Sequence, residues 1–144
     1  MATHKFTVEE ILQAAEQSKY PNFNEGFIQK DSRTGKVVYA CVIGEAFLNL
    51  GMVPNGISPI DLSDALSNIV PDEGSLSLYP SDPYPDTFTN LADFINTVNG
   101  YKGYQGKKRI AKLVRKHFSK SLNKTVTIKP HPEGHWGDNG IQFD

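Results

Sequence analysis

One cysteine, one tryptophan and two methionines are all that the 144 residues hold of those types, and the scarcity of thiols excludes whole classes of architecture. A lone Cys41 rules out an intrachain disulfide framework and any zinc or iron–sulfur site built from several thiolates. No run approaches the roughly 18 apolar residues that a membrane-spanning helix requires. The opening stretch, Met1-Ala2-Thr3-His4-Lys5-Phe6, leads into a helix signal with no apolar leader segment. A reducing, cytoplasmic setting without a membrane partner is therefore expected. No nucleophile, base and orienting group can be assembled into a catalytic set, so the sequence leans away from an enzyme and implies no cofactor.

Hydrophobic residues at 38% and charged residues at 22% keep the chain away from the low-hydrophobicity, high-charge corner in which polypeptides stay unfolded. Its length suits one globular domain, 1–144, around one core. The net charge of −1 hides a segregation: residues 1–100 carry 5 Lys+Arg against 13 Asp+Glu, and residues 101–144 carry 10 against 3. Such an imbalance points either to an anionic partner for the basic part or to a match between the two parts.

Thr7 and Glu10 form a capping box, with Phe6 and Ile11 at the hydrophobic-staple positions, and predict a helix that stops near Lys19-Tyr20 because Pro21 follows. Residues 27–39 read as a β-hairpin around Gly35. The apolar segment Cys41–Leu50 reads as a central helix ended by Gly51, and Ser58-Pro59-Ile60-Asp61 as the start of a third helix. Residues 71–86, with four prolines, predict an extended surface path. A fourth helix is expected from Asp86 or Thr87 to Gly100, and a fifth over 107–119. Thr125–Ile128 alternates in the manner of a strand that joins the hairpin. Residues 129–144, rich in proline and glycine, predict an irregular tail. The expected fold class is α+β, mostly helical, with a small antiparallel sheet made from the hairpin (27–39) and the strand at 125–128.

The strongest functional candidate is the glycine-spaced run before the fifth helix together with that helix. Three glycines let N–H groups turn toward a ligand where a helix begins, and helix starts flanked by lysine attract anions. Tyr101 and Tyr104 stand where they can stack on bases beside Lys102, Lys107, Lys108, Arg109, Lys112, Arg115 and Lys116, the combination used by single-strand binders. The bland reading is a flexible connection followed by a solvated face that complements the acidic helices. The run is not a phosphate-binding P-loop, because Tyr101 and Lys108 stand where that motif needs glycine and a hydroxyl. Partners consistent with this charge are nucleic acid, an acidic protein or a second copy of the chain.

His131 and His135, with Glu133 and Asp138, are weak metal candidates, since the prolines and glycines around them forbid the helical H-E-x-x-H spacing. Cys41 reads either as a nucleophile with His117 or His4 as base, or as a small buried hydrophobe. Glu45, inside the same apolar helix, either lies on an exposed stripe or is buried and needs a partner such as a lysine of the basic segment.

Tyr39-Ala40-Cys41-Val42-Ile43-Gly44-Glu45-Ala46 after a Gly-Lys-Val turn, and Phe94-Ile95-Asn96-Thr97-Val98-Asn99-Gly100 before a helix, resemble small bacterial and phage domains of unknown function. In these a Cys-x-x-Gly-Ala-like helix follows a hairpin and an Asn-containing turn precedes the last helix. The resemblance covers residues 27–118. Glu45 replaces a small residue of that pattern, and Asn99-Gly100 replaces its Asn-Asp pair. What it implies is a mostly helical fold and no activity.

Overall fold

A computed structural model of the protein describes residues 4–22, 26–52, 57–77, 87–100, 106–129 and 141–143. The capping box forms as its residues predict: Glu10 N–H donates to Thr7 Oγ1 and Thr7 N–H to Glu10 Oε1, starting α1, Val8–Ala15. The helix ends well before Pro21. Ser18 turns left-handed at φ 47°, and the next two N–H groups, of Lys19 and Tyr20, donate to the Glu45 carboxylate instead of to the preceding turn.

The hairpin forms from β2, Ile28–Lys30, and β3, Val37–Ala40, with Gly35 at φ 71° in its loop. The central helix α2, Val42–Asn49, follows at once. α3, Pro59–Leu66, begins where proline fits the first turn and the Asp61 carboxylate accepts the Ser58 N–H at 2.8 Å. A short pair, β4 (Leu76–Ser77) and β5 (Thr87–Phe88), precedes α4, Leu91–Val98. Asn90 caps α4 through its Oδ1, so this helix starts later than Asp86 or Thr87. α5, Lys107–His117, is the longest helix. These five helices with small sheets make the α+β, helix-rich fold that the sequence predicts.

Strand partners differ from the sequence reading. β6, Thr125–Ile128, forms as expected, but it pairs antiparallel with β1, His4–Thr7, and not with the hairpin. The hairpin takes as its third strand β7, Ile141–Phe143, parallel to β2, within the stretch expected to be irregular. β6 buries Val126 and Ile128 on one face. That face packs beside α3, and the strand's edge meets the extended residues that lead into α1.

The buried side chains form one continuous cluster. Fully buried Phe94 lies edge-on to Phe88 with ring centroids 5.3 Å apart and 5.5 Å from the ring of Phe118. α1 packs along α2, and α5 closes over both α1 and α4, which places the basic helix against the acidic N-terminal one. Among the described residues, no helix is long and apolar enough to cross a membrane.

Candidate functional site

At about 100° per residue, Lys107, Ile110, Ala111 and Val114 share the inward arc of α5, and all four are buried. Lys107 is thus an ion set in line with the core positions. Its Nζ lies 2.7 Å from Glu45 Oε1 and donates to Tyr20 O at 2.8 Å. Glu45 is 0% exposed and Lys107 4%, a position tolerable only because nearly every polar atom has a partner. The same carboxylate also accepts from Lys19 N–H, Tyr20 N–H and Asn49 Nδ2. Burial alone raises the Glu45 carboxyl, but the bonds from Lys107, Asn49 and Lys19 outweigh it and hold the group below its ordinary value.

Lys107 is therefore not part of an outward anion-binding surface, as the charge pattern alone suggests. It is the buried partner that Glu45 requires. Arg115 is corrected in the same direction. Its guanidinium is clasped by Glu9 and Glu16 of the α1 segment, with Nε to Glu9 Oε1 at 2.9 Å, Nη2 to Glu9 Oε2 at 2.8 Å and Nη1 to Glu16 Oε2 at 3.0 Å. Bonds to Glu16 first, then to Glu9, raise the guanidinium pKa further, and the bond from Arg115 holds Glu9 below the usual carboxylate range.

Glu9 and Arg115 are both partly exposed, so the clasp is worth less than a buried pair. Arg115→Ala is expected to lower stability by roughly 1 kcal/mol, less in high salt. Because the folded pKa of Glu9 lies below its unfolded value, this contribution is present above the unfolded pKa. It is lost as pH falls through the folded pKa. Denaturation midpoints of wild type and variant should converge in acid; a constant gap from neutral pH to below the carboxylate range would contradict the assignment.

Lys108, Arg109, Lys112 and Lys116 are exposed. Their positions fall within an arc of about 100° on α5, opposite the buried residues and with no carboxylate of the same helix among them. The remaining sequence candidates, Tyr101, Lys102, Tyr104, His131 and His135, lie outside the described residues. Among the described residues, no three His, Cys, Asp or Glu side chains group to hold a metal ion.

Cys41 is buried and caps α2, its Sγ accepting from Gly44 N–H at 3.4 Å. Burial pushes its thiol up to about 11, so at neutral pH it is a protonated, weakly nucleophilic group. His117 lines a pocket with Pro71, Asp72, Glu73 and Lys116. Desolvation, then the charge of Lys116, lowers its pKa. Nearby, Asp72 accepts from Ser119 N–H, Ser119 Oγ and Lys120 N–H, which fastens the turn after α5.

Glu45 stands out in the sequence as a charge inside an apolar helix, and the structure buries it. Lys107 carried an equally direct signal, its register with Ile110, Val114 and Phe118. The acceptors of Arg115 had no local signal, because they lie 99 and 106 positions away. No family model matches this chain, and neither a curated protein nor a solved structure shows significant similarity to it.

Proposed function

We propose that the protein is a non-enzymatic interaction module that contacts the phosphates of nucleic acid through Lys108, Arg109, Lys112 and Lys116. The observation that carries this reading is the all-cationic exposed arc on a helix whose inward cation, Lys107, is already neutralised inside the fold. Tyr101, Lys102 and Tyr104, just before that helix in sequence, extend the reading to stacking on unpaired bases. With no groove-docking motif, the contact is sequence-independent. A single buried thiol fits the reducing, cytoplasmic setting in which such a partner is met.

Anisotropy titrations with labelled single- and double-stranded oligonucleotides test this. For three or four phosphate contacts, affinity should fall roughly 40- to 150-fold between about 50 and 200 mM salt. The Lys108→Glu/Lys112→Glu variant should flatten that dependence and bind at least tenfold more weakly. Absence of binding at the lower salt, or binding indifferent to the charge reversal, overturns the proposal. Binding of polyglutamate but not of oligonucleotides would assign the arc to an acidic protein.

A second reading, a structural protein whose acidic and basic regions serve each other, is favoured by the Glu45–Lys107 pair and the Arg115 clasp. These matches lie within one chain, so this reading needs no second copy.

A further inference from the structure

Residues 107–129 contain nine Lys and Arg and no Asp or Glu, so the cationic run does not stop with α5. Within it lysine recurs at every fourth position, as Lys108, Lys112, Lys116, Lys120 and Lys124. All five are exposed, and among the described residues none of their ammonium groups donates a hydrogen bond or joins an ion pair. On α5 each step of four residues rises about 6 Å and turns about 40°. The helix breaks at Phe118, at φ −123° and ψ 30°. A 3-10 turn, Ser119–Ser121, then carries Lys120 and is tied down by Asp72, which accepts the Ser119 and Lys120 N–H groups. The chain next crosses to the start of α1, where Lys124 C=O accepts the Val8 N–H at 3.1 Å. Along this path the carboxylates of Asp72, Glu9 and Glu10 are occupied by Ser119 and Lys120, by Arg115 and by Thr7.

We infer that these five lysines form one track for the phosphate backbone of a single-stranded nucleic acid, running along α5 and on past the start of α1. This rests on the reading of α5 given above and names the substrate class of that site. Spacing makes the track continuous. Four residues span at most about 14 Å even when fully extended, so a flexible polyanion passes from each lysine to the next without a gap. The break at Phe118 decides between the two forms of nucleic acid. A duplex is stiff over about 150 base pairs, and it follows the track only where the track is straight, along the three lysines of α5. A single strand bends with the chain and reaches Lys120 and Lys124 as well.

Anisotropy titrations of the full chain with labelled oligo-dT and with a duplex of equal length, each over a salt series, test the track. In Lys120→Gln/Lys124→Gln the slope of log affinity on log salt for oligo-dT should flatten by about 1.4, the value for two lost phosphate contacts on a single strand. The slope for the duplex should stay that of wild type. Because the two ammonium groups hold nothing in the fold, the melting temperature of this variant should not change. Arg33→Gln/Lys36→Gln removes two exposed charges from the hairpin loop instead and should bind both oligonucleotides like wild type, which separates local contact from net charge. The inference is overturned if Lys120→Gln/Lys124→Gln binds oligo-dT like that control, or if it loses duplex and single strand alike. In either case weakened binding by Lys108→Glu/Lys112→Glu leaves the α5 reading standing, whereas failure of the wild type to bind either oligonucleotide at low salt ends both.

Discussion

Lys107→Met is expected to lower stability by about 3–5 kcal/mol at neutral pH, the range for removing one partner of a buried ion pair. The methylene stem of lysine is replaced by a side chain of similar length, so packing changes little. What changes is the state of Glu45, a fully buried carboxylate that keeps its bonds from Lys19, Tyr20 and Asn49 but loses the countercharge of Lys107. Adding Glu45→Gln should recover most of the loss, because the charge disappears while an acceptor oxygen remains. The pH dependence has a definite sign. The folded pKa of Glu45 lies below its ordinary value, so the stability it contributes is present above the unfolded pKa and disappears as pH falls through the folded one. The gap between wild type and Lys107→Met should therefore shrink in acid. Urea denaturation measures it directly, and a neutral-pH midpoint equal to wild type would remove the pair from the list of what holds α1, α2 and α5 together.

Gly44→Ala is expected to destabilise by an amount at or above the upper end of the roughly 1–3 kcal/mol typical of overpacking. Helix propensity alone predicts the opposite, a gain of up to about 1 kcal/mol for alanine over glycine. The close approach of two backbones decides the sign. A Cβ on residue 44 would stand 2.0 Å from the Phe27 carbonyl oxygen and 2.9 Å from Ile28 Cγ1. That carbonyl cannot retreat freely, since it accepts the Cys41 N–H at 2.9 Å and so fixes the start of α2 against the hairpin. Calorimetry should show Tm falling by on the order of 10 °C. A variant as stable as wild type would mean that the helix and hairpin are not in this contact.

What could be read in advance was whatever is encoded within a few residues. The Thr7/Glu10 box, the Ser58-Pro59 helix start, the glycines at 35 and 51 and the apolar stripes each act over one or two turns, and each appears where its spacing places it. The α+β class followed from these. Strand partnering did not, because Thr125–Ile128 satisfies its alternation equally well beside either the hairpin or residues 4–7. Only the packed core chooses. On the candidate site, net charge counted Lys107 and Arg115 as outward cations. The helical register of Lys107 with Ile110 and Val114 shows otherwise, whereas the carboxylates that hold Arg115 are brought to it only by folding.

The pairing of His4 with Ile128, together with the reach of Arg115 back to Glu9, sets an order on biosynthesis. The first helix emerges from the ribosome long before the strand and the guanidinium that will fasten it exist. At about 5–20 residues per second, that interval is on the order of ten seconds. During that wait Val8, Ile11 and Leu12, all buried in the finished fold, belong to a helix whose α5 neighbour has not yet been made, so apolar surface stays open until the last third of the chain arrives.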